Sequence, residues 1–141
     1  MQFDPENPII KLCAYGMQLE GEGKPDKASA VFSQAWEQAT NNFEKFTAAH
    51  YIARHQETVA DKLKWDETAL QLALGLDDES IKGALPSLYL NIAKCYEDLD
   101  DFTKANENYQ NALAYTGFLH DDGYGNMVRS GINAGIERVK E

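Results

Sequence analysis

The sequence predicts an all-α protein, an α–α superhelix of three helical hairpins closed by a capping helix. Three observations predict it. Apolar and small residues recur at three- and four-residue intervals along most of the 141 residues, which marks one face of a helix. Short polar breaks rich in Gly, Asn, Asp and Pro separate these runs at hairpin length. Two distant stretches carry the same order and spacing of large and small residues, and an internal repeat explains that better than two unrelated helices. No run has the strict alternation of a half-buried strand, and no low-complexity linker interrupts the chain.

Taken in order, Asn7-Pro8 opens the first helix, with Asn7 as N-cap and Pro8 at the first helical position. Leu12, Tyr15, Gly16 and Leu19 mark its buried face. It stops at Gly21-Glu22-Gly23, and Lys24-Pro25-Asp26 starts the next, whose buried side carries Ala28, Val31, Phe32, Ala35 and Trp36 up to a break at Asn41-Asn42. In the middle, Phe46, Ala49, His50 and Ala53 predict a first helix, and Asp66, Leu70 and Ala73 a second that ends at Gly75. Here the interval from Ala53 to Asp66 is thirteen residues, against nine in the other hairpins, so a lengthened helix or turn is expected between residues 58 and 65. A long exit follows through Asp77-Asp78-Glu79-Ser80, and Pro86 either starts the next helix or kinks one that begins near Glu79. The third hairpin places Tyr89, Ile92, Ala93 and Tyr96 on one helix and Ala105, Tyr109 and Ala112 on the other, with Asp100-Asp101 at the turn. After His120-Asp121-Asp122-Gly123, a last helix aligns Tyr124, Met127, Val128, Ile132, Ile136 and Val139. Its place after the final hairpin suits the cap that a stacked array needs.

The repeat is explicit when its two best copies are overlaid. Leu12-x2-Tyr15-Gly16-x2-Leu19 is followed nine residues later by Ala28-x3-Phe32-x2-Ala35, and Tyr89-x2-Ile92-Ala93-x2-Tyr96 by Ala105-x3-Tyr109-x2-Ala112. This pattern resembles the tetratricopeptide repeat, W-x2-L-G-x2-Y followed by A-x3-F and a helix-ending Pro. Gly16, Ala93, Ala28 and Ala105 stand where helices cross closely, and Tyr96, Phe32 and Tyr109 where space between hairpins is filled. Leu12 and Tyr89 replace the leading Trp, and Thr40 and Gly117 the closing Pro. The resemblance implies one domain over residues 1–141, with repeats at about 9–42, 43–85 and 86–119 and a cap at about 124–140. More loosely, residues 86–99 and 43–56 resemble a small set of bacterial tetratricopeptide-like proteins. Some of those carry the name rRNA adenine methyltransferase, and some are fused to a rifampin ADP-ribosyltransferase domain. The chain has neither a cofactor loop for the first nor room for the second. That resemblance therefore implies a bacterial accessory module of an antibiotic-modifying system.

Composition narrows the function classes. With thirteen Lys and Arg against 23 Asp and Glu, the net charge is -10, which argues against a nucleic-acid partner. It is compatible with a basic peptide or with a solvated acidic surface. No apolar run is long enough for a membrane span, the start lacks a secretory signal, and two cysteines make no disulfide framework. A cytoplasmic protein without membrane partners is expected. No phosphate loop, dinucleotide loop, nucleophile elbow or zinc-protease helix is present in the sequence, so neither catalytic residues nor cofactors nor metal ligands are assigned.

In this family the first helices of successive hairpins line a groove that holds a peptide. Carried onto this chain, that places Cys13, Met17 and Glu20, then Thr47, Tyr51 and Arg54, then Leu90, Lys94 and Glu97 toward the groove. Met17, Tyr51, Arg54, His55, Leu90 and Lys94 are the chosen binding candidates. Cys13 and Met17 stand where one subset of the family has Lys and Asn to grip a C-terminal carboxylate, so that clamp is not expected. The group His50, Tyr51, Arg54 and His55 is either a binding patch or an exposed face with an ion pair. His50 and His55 are five apart, off one helical face, which disfavours a metal. Gly131 and Gly135 each cost the last helix about 1 kcal/mol relative to Ala. They are explained either by close packing of the cap on the third hairpin or by a face where two copies meet, so a monomer or a homodimer remains open. The expected function is a non-catalytic scaffold binding an unidentified protein or peptide, with self-association through the capping helix as the alternative.

Overall fold

The computed structural model describes residues 4–140 and is all-helical, with no strand among the described residues. Among the described residues, seven helices of twelve residues or more are joined by short turns, and one four-residue helix separates the fourth from the fifth long helix. The chain divides into two compact units, Met1–Leu76 and Asp77–Glu141, parted in the long exit that follows Gly75. Each unit has its own core.

The first unit holds α1 (Pro8–Gly21), α2 (Pro25–Gln38), α3 (Asn42–Ala53) and α4 (Val59–Leu74). Helix α1 pairs with α2 and α3 with α4, while α3 also lies against both α1 and α2. Its core is Ile9, Cys13, Leu19, Ala28, Phe32, Ala35, Ala48 and Ile52, bordered by Trp36 and Trp65, whose rings meet edge to face at 5.1 Å. The second unit holds the short α5 (Glu79–Lys82), α6 (Leu85–Asp98), α7 (Phe102–Ala114), a 3-10 turn over Thr116–Phe118, and α8 (Gly123–Val139). Helix α8 packs on both α6 and α7, as α3 packs on α1 and α2. The terminal helix therefore occupies, on its own hairpin, the place a following first helix takes in the other unit.

Local chemistry explains the boundaries. Asn7 caps α1 by accepting from the N–H groups of Ile9 and Ile10 at 2.8 and 3.2 Å, with Pro8 at the first position. Helix α2 ends at Gln38, three residues before Asn41, which breaks nothing but caps α3 through Glu44 N–H. Thr58 caps α4. Pro86 is the second residue of α6 and the segment from Glu79 forms a separate turn of helix, so of the two alternatives the proline starts a helix and does not kink one.

The repeat is visible bond by bond. At the first hairpin turn, Glu22, Gly23 and Lys24 donate to the carbonyls of Gln18, Glu20 and Leu19; at the third, Leu99, Asp100 and Asp101 donate to those of Cys95, Glu97 and Tyr96. Gly23 and Asp100 hold the same left-handed conformation, with φ of 75° and 63°. The middle hairpin accommodates its four extra residues differently. Ala28 and Ala105 are the fourth residues of their helices, whereas Asp66 is the eighth of α4. One added helical turn keeps the buried face in register, because four residues are close to the 3.6 of a full turn. That turn also carries Lys62, whose ammonium bonds Asp66 at 2.6 Å, so the acid at this fully buried crossing point has a counter-charge.

Candidate functional site

The candidate site lies between α1 and α3. Asn7 not only caps α1 but donates from its side-chain amide to Glu44 Oε2 at 2.9 Å, tying the starts of the two helices together. Glu44 is 7% exposed and its other oxygen accepts from the N–H and hydroxyl of Thr40 at 2.9 and 3.0 Å. These bonds, led by the Thr40 N–H, hold its carboxyl below the usual range. At the far ends of the same helices, Glu20 of α1 receives the Arg54 guanidinium and lies 2.6 Å from His55 Nε2. Both ends of the helix pair are thus clasped by a carboxylate.

Between the clasps the helices diverge enough to leave a cavity of about 80 Å3, lined by Ile10, Cys13, Ala14 and Met17 from α1 and by Thr47 and Tyr51 from α3. The α1 residues follow the i, i+3, i+4, i+7 pattern of one helical stripe, and the α3 residues are one turn apart. Met17 is 46% exposed at the rim. The Tyr51 ring is stacked on Phe32 at 5.0 Å and covered by the Arg54 guanidinium at 4.8 Å from its centroid. Burial raises the Tyr51 hydroxyl above its ordinary pKa, and it pushes the Cys13 thiol up to about 11, so that the thiol stays protonated and unreactive near neutrality. The site is a neutral, mostly apolar dimple with a rigid floor and an ion pair at one end. Its chemistry suits an aliphatic side chain.

Met17 and Tyr51 are brought together at this dimple, with Arg54 and His55 beside it in the Glu20 clasp. Leu90 and Lys94 are in the second unit, in α6. Overlaying the hairpins puts Leu90 at the place of Cys13 and Lys94 at that of Met17, while α8 supplies Gly131 and Gly135 for Thr47 and Tyr51. There the Leu90 side chain is half-buried against α8, with its Cδ2 atom 3.2 Å from where a Cβ of Gly131 would stand. A Cβ at Gly135 would lie 2.2 Å from the ring of Tyr109. Both glycines thus face their own hairpin. Lys94 is exposed and paired with Asp98 at 2.7 Å. The clasp recurs too: Glu97, the counterpart of Glu20, accepts from the Tyr109 hydroxyl at 2.7 Å and from Arg138 of α8 at 2.8 and 3.2 Å. The Arg138 bond holds the Glu97 carboxyl low, and burial pushes the Tyr109 hydroxyl up to about 12.

Sequence reasoning missed Ile10, Ala14 and the Asn7–Glu44 tie. The first two could have been found from the stripe through Met17, but the tie joins residues 37 positions apart and leaves no periodic signal. His50 packs edge-on against Tyr51 at 5.3 Å and its Nδ1 has no hydrogen-bond partner among the described residues. Among the described residues no group of three His, Cys, Asp or Glu could hold a metal ion, and no helix is long and apolar enough to cross a membrane. A wider hollow of about 560 Å3 runs between α7 and α8, but mostly exposed side chains such as Phe102, Glu107 and Gln110 wall it. Comparison of the chain with protein-family models, with curated proteins and with solved structures finds no match.

Proposed function

We propose that the chain is a non-catalytic interaction module, a short α–α superhelix of tetratricopeptide type that holds a peptide segment along its first helices. The observation that carries this reading is the clasped dimple between α1 and α3, because it is preformed, apolar and flanked by an ion pair. Its small volume favours one aliphatic side chain of the peptide as anchor. The bond-for-bond agreement of the first and third hairpin turns supports the family reading, and the helix stacking within each unit is compatible with it. In the second unit Leu90 fills the space over Gly131, so the proposed anchor lies in the first unit.

Selection from a displayed random-peptide library tests the proposal. Enriched peptides should share one aliphatic residue, perturb the amide resonances of residues 10–17 and 47–54, and lose binding to Met17→Arg while binding Lys94→Ala normally. Enriched peptides that bind Met17→Arg as well as the parent protein would remove the dimple from consideration.

A further inference from the structure

The two carboxylate clasps differ in how much of the arginine they use. In the second unit Glu97 receives a fork from Arg138, with Nε on one oxygen at 2.8 Å and Nη2 on the other at 3.2 Å. In the first unit Arg54 stands at the place of Arg138, yet it bonds Glu20 through Nη2 alone, on Oε1. The other oxygen, Oε2, lies 2.6 Å from His55 Nε2. His55 stands at the place of Val139, a buried aliphatic residue that leaves both Glu97 oxygens to Arg138 and Tyr109. Its ring lies 5.6 Å from that of Phe32, the counterpart of Tyr109. The histidine thus holds half of the acid, and the Nε–H and Nη1–H groups of Arg54 have no acceptor among the described residues. The guanidinium is nonetheless fixed in place, by Glu20 at Nη2 and by the Tyr51 ring, whose centroid it covers at 4.8 Å and which walls the dimple. Its side chain is 42% exposed, so a ligand can reach those donors.

Resting on the reading of the dimple as a peptide anchor, we propose that the peptide carries a glutamate or aspartate next to its aliphatic residue, and that this carboxylate accepts from an Arg54 N–H group that Glu20 leaves unused. The closed clasp shows the chemistry such an arginine accommodates, a glutamate side chain on Nε and Nη2 together. Arg54 then bridges two acids, Glu20 and the ligand's, as a planar group with five donors can. An extended chain advances about 3.3–3.6 Å per residue, so the side chain of a neighbour of the anchor reaches a group one ring away from the dimple. His55 determines the specificity without touching the peptide, because it keeps the arginine from closing on Glu20.

The test titrates the full-length, isotope-labelled protein with acetyl-Glu-Leu-Glu-methylamide and with its neutral isostere acetyl-Gln-Leu-Gln-methylamide, read by NMR at the Met17 methyl and the Arg54 side-chain N–H groups. Both peptides should shift Met17, and the acidic one alone should shift the Arg54 N–H signals. It should bind about two- to fivefold more tightly at low salt, a preference that added salt erodes. With a net charge of -10 the protein as a whole repels the acidic peptide, so bulk attraction cannot produce that preference. In Arg54→Met the ratio of the two affinities should fall to one. It should also fall to one in His55→Val, which copies the second unit and lets Arg54 fork onto Glu20 although the arginine is still present. Equal affinities in the parent protein, or a preference that survives either substitution, would overturn this inference and leave the dimple standing. If neither peptide moves Met17, the dimple itself is refuted and the inference with it.

Discussion

Gly131 and Gly135 lie one turn apart in the interior of helix α8, and the structure assigns them opposite responses to the same substitution. An alanine in place of a helix-interior glycine gains about 1 kcal/mol in propensity. At Gly135 the new Cβ would stand 2.2 Å from Cε1 and Cζ of Tyr109, far inside van der Waals contact. Tyr109 cannot step aside, because it is fully buried and its hydroxyl is held by Glu97 at 2.7 Å and by Arg138 at 3.2 Å. Overpacking of this kind costs about 1–3 kcal/mol, and the pinned ring places it near the top of that range. Gly135→Ala should therefore destabilise the protein by a net amount of about 1–2 kcal/mol. At Gly131 the nearest atom is the Cδ2 methyl of Leu90 at 3.2 Å, the far end of a flexible side chain, so Gly131→Ala should be neutral or stabilise by up to about 1 kcal/mol. Urea unfolding followed by far-ultraviolet circular dichroism measures both. In a Tyr109→Leu background the ring is gone and Gly135→Ala should change sign. A Gly135→Ala protein as stable as the parent, or more so, would refute the close-packing account and return the glycine pair to the surface role that self-association requires.

Other outcomes follow from the turns, the clasp and the buried imidazole. Gly23→Ala should lower stability by about 1 kcal/mol although nothing lies within 4 Å, because the strain is in the positive φ; Gly23→Asp should cost less, as Asp100 adopts the same conformation. Arg138→Met removes the main cause of the low Glu97 carboxyl. Stability from that lowered value is present above the ordinary carboxylate range and is lost as pH falls through the native one. The variant should thus be less stable by about 1 kcal/mol at pH 7, and the difference should shrink as acid protonates Glu97 in the parent, which urea midpoints measured over a series of falling pH values resolve. His50 has a lowered pKa, chiefly from burial and then from Arg54, so the unfolded chain takes up its proton first and stability should fall as pH drops below about 6.5. In His50→Gln that part of the profile, measured by thermal melts from pH 8 to 5, should flatten.

The parts of this fold legible in the amino-acid string are those that local rules govern. The period of apolar residues, the cap at Asn7, the proline at position 8 and the turn at Asp100-Asp101 each depend on neighbours within about four residues, so each can be read from the string. The identical spacing of the two hairpins belongs to this class as well. The irregular middle hairpin was legible as an excess of four residues, but not as one added turn of α4, since the string does not say whether an insertion extends a helix or a loop.

Which first-helix residues remain open is set by packing against helices distant in the chain. Cys13 and Leu90 hold the same repeat position, yet the first borders a dimple and the second fills its counterpart, because the neighbouring helix presents Thr47 in one unit and Gly131 in the other. The carboxylate clasps show the same dependence: Glu20 and Glu97 look like ordinary solvated acids in the chain, and their partners Arg54 and Arg138 lie 34 and 41 residues away. Whether a side chain is a floor, a wall or a filler depends on the volume left by a helix distant in sequence. That volume is a property of packing, which no periodicity encodes.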